Sequence, residues 1–148
     1  MENAKNKQIG FQLINIATEQ FAIIPDAFDK SIKEISFSVN IDFGINKEEN
    51  VIASVVKIQF EQKNSAFLII EISNHYSIEQ SGWDEMNADD KNKLTIPKGF
   101  ATHLLVLTIG TLRGVLHAKT ENTEFNQFVL PTLNVSELIQ SDIELTIQ

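Results

Sequence analysis

The chain has 148 residues, 43% of them hydrophobic and 22% charged, with 12 basic against 20 acidic side chains and a net charge of −8. A chain of this length has room for one core, and this composition folds rather than staying disordered. The negative sign argues against nucleic acid as a partner, and the absence of cysteine excludes disulfides, thiolate chemistry and cysteine-based zinc sites, as expected of a cytoplasmic protein.

Residues 1–8 carry charges but no apolar run, so they read as a flexible N-terminal tail rather than a signal peptide. Ile9, Phe11 and Leu13 alternate with Gly10 and Gln12, which predicts a first strand to about Ala17. Phe21 to Ile24 is a separate short apolar stretch closed by Pro25-Asp26. Ile35, Phe37, Val39, Ile41 and Phe43 recur at strict period two, the pattern of a strand with one face on a core and the other in water. Residues 44–50 read as a polar turn. Residues 51–62 are a third strand, rich in β-branched and aromatic side chains, and 63–65 are short enough for a hairpin. The fourth strand, 66–72, is apolar on both faces over most of its length, so it needs cover on both sides or a partner. Residues 77–93 are polar and acidic, carry the single Trp83, and read as a long surface loop.

The character changes at Pro97. Phe100, Leu104, Leu107, Leu112, Val115 and Leu116 follow at helical spacing and predict one long helix to about Lys119. A polar break at 120–124 precedes an extended apolar piece at 125–130, and Asn134 is placed to cap a short helix from Val135. No apolar run approaches the ~20 residues that span a bilayer, so membrane insertion is not expected. Strands first and helices after predict an α+β fold: a four-stranded antiparallel sheet followed by one long helix and a short C-terminal helix, in a single domain over 1–148.

Chemistry-bearing motifs are sparse. No Gly-rich phosphate loop, dinucleotide fingerprint or nucleophile elbow is present. His75, His103 and His117 lack the four-residue spacing that sets two ligands on one helix face, and the acidic stretch from Asp84 to Asp90 lacks the alternation and the central Gly of a calcium loop. The expectation is a non-enzyme with no catalytic residue, metal or cofactor. Gly110 and Gly114, four apart in the long helix, point instead to close approach of another backbone.

The order of elements resembles the SecB family of bacterial export chaperones. The residues that carry the likeness are Phe11-Gln12-Leu13 through Thr18, Ala66-Phe67-Leu68, and Arg113-Gly114 with Leu130-Pro131-Thr132-Leu133-Asn134-Val135. The resemblance implies a homo-oligomer assembled as a dimer of dimers. It also implies ATP-independent holding of unfolded or precursor polypeptides, delivery to the SecA motor, or, in some members, service to a single antitoxin. By position, Glu19 and Glu71 are the SecA-contact candidates. This chain departs from the export chaperones by extra residues at 117–126.

An apolar client groove has candidates in Phe21, Ile23, Phe28 and Phe67, and in Ile69, Tyr76, Trp83 and Phe100. For the oligomer interface they are Leu104, Leu107, Gly110, Leu112 and Gly114. A structural or adaptor protein that uses the same apolar faces only for self-assembly is the competing reading.

Overall fold

Strands β1 (Phe11–Ile23), β2 (Ser36–Asn46), β3 (Val51–Gln62) and β4 (Ser65–Ile78) form one antiparallel sheet, ordered β1-β4-β3-β2, in a computed structural model that describes residues 8–147. The expected N-terminal tail, apart from Gln8, lies outside the described residues. Lys63 and Asn64 close the β3–β4 hairpin at positive φ, 50° and 65°, the backbone sense whose twist matches paired strands. The register sets Val56 opposite Ile72, Ile58 opposite Ile70 and Phe60 opposite Leu68, so one sheet face is a continuous apolar surface.

Helix α2 (Lys98–Thr120) covers that face, burying Leu104, Leu105, Ile109, Leu112 and Leu116. Among the described residues it is the one helix long and apolar enough, by length and composition, to cross a bilayer; here its buried side packs on the sheet. Pro97 occupies the cap position just before its first turn. Tyr76 Oη donates to the Leu104 carbonyl, 3.1 Å, and Asn74 Nδ2 to Thr111 Oγ1, 2.9 Å, which adds polar ties to the apolar seam. The opposite sheet face carries Lys57, Gln59, Glu71 and His75, none of them buried.

The α+β architecture is the one the patterning implies, with four corrections. First, β1 is one strand of 13 residues rather than two pieces, because bulges at Ile14 and Glu19 absorb the breaks in its alternation. Second, β4 runs on to Ile78, its polar Ser73, Asn74 and His75 still paired with β1 and β3.

Third, the expected loop at 77–93 holds helix α1 (Gln80–Met86), which buries Trp83 and Met86. Gly82 permits that docking, since a Cβ there would stand 2.7 Å from Ile9 Cγ2. Fourth, a second small sheet pairs β5 (Lys93–Ile96) with β6 (Ile143–Thr146), Ile96 opposite Ile143. A helix α3 (Val135–Leu138) begins after Asn134, as expected, although the Asn134 side chain accepts from Ser136 Oγ (2.6 Å) and makes no bond to the helix backbone.

Arg113 explains part of the motif at 130–135. Its guanidinium donates to the carbonyls of Leu130 (3.3 Å) and Pro131 (2.9 Å), pinning the extended segment to α2.

Candidate functional site

At the end of the sheet marked by the β3–β4 hairpin, phenylalanines from five parts of the chain meet. Phe67 of β4 stands 4.9 Å from Phe28 and 5.0 Å from Phe128, ring centre to ring centre. Phe28 in turn lies 5.3 Å from Phe125 and 5.6 Å from Phe128. Phe60 of β3 lies 5.8 Å from Phe128 and 6.1 Å from Phe37 of β2. Tilted and edge-on contacts at these spacings are favourable for aromatic rings and impose no hydrogen-bond geometry.

The rim of this cluster is apolar and open to solvent. Val129 is 68% exposed and Phe37 39%; Ile35 is exposed two residues before Phe37, and Ile24, whose amide donates to the Phe67 carbonyl, is exposed as well. The segment 24–35, which joins β1 to β2, crosses this end with a 3-10 turn at Pro25–Ala27 and no strand. It is held by packing of Ala27 and Phe28 on the core, by the Ile24 amide bond to the Phe67 carbonyl (2.8 Å) and by side-chain polar bonds. Gln62 Oε1 accepts from the Asp29 amide (2.8 Å), and Gln62 Nε2 donates to the carbonyls of Asp29 (3.0 Å) and Ile32 (3.1 Å). Lys30 Nζ reaches Glu124 at 3.2 Å through solvent-exposed side chains. Ser31 donates to Asp29 Oδ1 from its backbone amide and its hydroxyl, and the hydroxyl bond is the main cause holding the Asp29 carboxyl below its ordinary range.

The eight groove candidates do not share one groove. Phe28 and Phe67 belong to the aromatic end, with Phe21 and Ile23 on the adjoining part of β1, where Lys119 Nζ sits 5.3 Å from the Phe21 ring. Tyr76, Trp83 and Phe100 lie toward the far end of β4. At ~3.4 Å per residue, Phe67 and Tyr76 are roughly 30 Å apart along the strand. Phe67 and Tyr76 are fully buried and Trp83 is 4% exposed, so all three are core side chains: helix α1 folds Trp83 inward where a loop would have left it in water. Phe100 is half-buried against Phe11, 5.5 Å away, and Ile69 is half-buried on the sheet face away from α2.

Phe37, Ile35, Ile24 and Val129 are the residues that periodicity missed. Strict alternation assigns Phe37 and Ile35 to a core face, but at this end of β2 both side chains are exposed. Val129 is the outward member of an apolar run between Phe128 and Leu130.

The interface candidates divide in the same way. Leu104 and Leu112 are buried against the sheet, a correction forced by the helix pointing that side inward. Leu107, Gly110 and Gly114 face outward with Val106, and a Cβ at either glycine would meet nothing within 4 Å. Alongside runs the free edge strand β1. Its exposed Leu13 and Ile16 stand opposite Tyr76 and Asn74, the two residues bonded to α2. The edge carries a single charge, Glu19, and none of the lysines or prolines that usually guard one.

On the sheet face away from α2, Ser73 Oγ donates to Glu19 Oε1 (2.7 Å) and lies 3.1 Å from His75 Nε2. Because the serine gives its proton to Glu19, the imidazole donates to the serine, the reverse of a base that activates a nucleophile. Glu71 shares this face, as Lys57's cross-strand partner. A shallow depression of about 420 Å³ lies beside His75, lined by Ile14, Ile45, Val51 and Ala53 with Asn15 and Glu49. Among the described residues no group of three or more His, Cys, Asp or Glu converges as a metal site.

No protein-family model matches the chain, and no curated protein matches it. Several solved structures resemble it. One is a SecB-like chaperone of Mycobacterium tuberculosis in complex with a ChAD peptide from an antitoxin, at 8% identity and TM-score 0.45, covering 84% of this chain and 91% of that one. Another is a protein of unknown function from Streptococcus agalactiae, at 15% identity and TM-score 0.42, covering 86% of this chain and 99% of that one.

Proposed function

We propose that the chain is an ATP-independent holdase chaperone of the SecB-like kind, a cytoplasmic non-enzyme that binds unfolded polypeptides, export precursors among them. The observation that carries this reading is the solvent-exposed rim of Phe37, Val129, Ile24 and Ile35 around a phenylalanine cluster. Apolar surface of this kind accepts many sequences, because it demands burial rather than a fixed set of donors and acceptors. At about 25 cal/mol per Å², a few hundred Å² of client surface gives micromolar holding once the cost of ordering the client is met. The net charge of −8 favours clients rich in Lys and Arg.

Assembly as a homo-oligomer, a dimer of dimers, is part of the proposal. Its support is the outer stripe of α2 (Val106, Leu107, Gly110, Gly114) and the unguarded edge of β1. SecA, with Glu19 and Glu71 as contacts, and an antitoxin are the specific partners that the resemblance adds. Co-purification with each decides between them.

The direct test is titration calorimetry, without nucleotide, against a reduced and carboxymethylated protein that stays unfolded, with its native form as control. Micromolar binding to the unfolded form alone, with a negative heat-capacity change, is expected. An oligomer that binds neither form would leave the adaptor reading in place.

A further inference from the structure

We propose that Phe28 is a built-in occupant of the client site, and that the seat formed by Phe67, Phe125 and Phe128 takes an aromatic side chain of an unfolded polypeptide when Phe28 leaves it. This inference rests on the holdase reading and names both its ligand and its gate.

Three observations carry it. The seat is already filled by an aromatic ring at 4.9, 5.3 and 5.6 Å from its three walls, so the chemistry it accepts is visible in its own occupant. Two of the walls, Phe67 and Phe125, are buried, whereas Phe28 is only half-buried. Phe28 also rides on the segment 24–35, in which no residue is buried, whose side-chain ties run through Gln62 and the exposed Lys30–Glu124 pair. A core phenylalanine on a strand or helix would need a sheet or helix to unravel before it could move. Phe28 needs its ring contacts, the Gln62 bonds and one screened ion pair to release, while the Ile24 amide bond to the Phe67 carbonyl (2.8 Å) stays as the anchor at the start of the segment. A departing Phe28 would leave a seat edged by Phe37 and Val129, which already face water and would flank an incoming chain.

The consequence has an unusual sign: removing Phe28 improves binding, because the competing internal ligand is gone and the open state no longer has to be populated first. The experiment measures, by fluorescence anisotropy, affinity for a labelled unstructured peptide with one Phe between lysines and for the same peptide with Ala. Phe28→Ala should tighten binding of the Phe peptide roughly tenfold and leave the Ala peptide unchanged. Gln62→Ala, which keeps the ring but frees the segment, should shift binding the same way to a smaller extent. Adding Phe128→Ala to Phe28→Ala should abolish the gain.

Circular dichroism first establishes that each variant is folded. Should Phe28→Ala not fold, Gln62→Ala carries the test. Equal or weaker Phe-peptide binding in the folded variants, or an equal gain for both peptides, overturns the gate while the holdase reading stands on wild-type binding. Loss of all binding, wild type included, overturns both.

Discussion

The hydroxyl of Tyr76, on β4, bonds to the carbonyl of Leu104, on α2, at 3.1 Å, at a point where both residues are fully buried. Thr108 Oγ1 also donates to that carbonyl, at 2.8 Å, and Asn74 Nδ2 donates to the tyrosine oxygen, at 3.1 Å. Sheet and helix are thus locked by a small polar network inside an apolar seam. Tyr76→Phe leaves these partners short of a bond and should cost about 1–3 kcal/mol in denaturant unfolding. Client binding by the folded variant should not change, because Tyr76 lies at the far end of β4 from the aromatic cluster.

Gly110 separates self-assembly from folding. A Cβ there meets nothing within 4 Å, and replacing glycine within a helix raises helix propensity by up to about 1 kcal/mol. Gly110→Leu should therefore unfold at the same or higher denaturant concentration while its sedimentation coefficient falls at micromolar concentration. A wild type that sediments as a monomer would remove the proposed interface.

The turn at Asp29 has a defined pH response. Its carboxyl is held below the ordinary carboxylate range by the Ser31 hydroxyl and amide. The folded value is the lower one, so this contribution to stability is present above the unfolded carboxylate's range and is lost as pH falls through the folded value. In an NMR titration the Asp29 side chain should reach its midpoint below that of the unfolded chain. Ser31→Ala should move the midpoint back up. An unchanged midpoint in the variant would show that the Ser31 hydroxyl does not hold the charge.

Where hydrophobic periodicity was strong, the sequence was readable. Val51–Gln62 and the long helix are local patterns with a single satisfactory burial, and both form almost as patterned. Helix α1 was hidden because only Trp83 and Met86 anchor it, too few apolar residues in seven to mark a period. The continuity of β1 was hidden because each bulge shifts the alternation by one residue.

The site was harder to read, because exposure depends on where one element outruns the cover of another. Phe37 and Phe43 belong to the same alternating run of β2, yet one meets water and the other is buried. Only tertiary packing on β2, such as that of β6, distinguishes them.

The central claim is that the exposed rim at the aromatic end holds unfolded chains. Light scattering of a chemically denatured client diluted into buffer, without nucleotide, tests it most directly when wild type is compared with a Phe37→Ser, Val129→Ser double variant. Both positions are solvent-facing, so the variant should keep its fold and oligomeric state. The account predicts suppression of aggregation at near-stoichiometric wild type and its loss in the variant at equal concentration. Equal suppression by both proteins, or none by the wild type with any client tried, contradicts it.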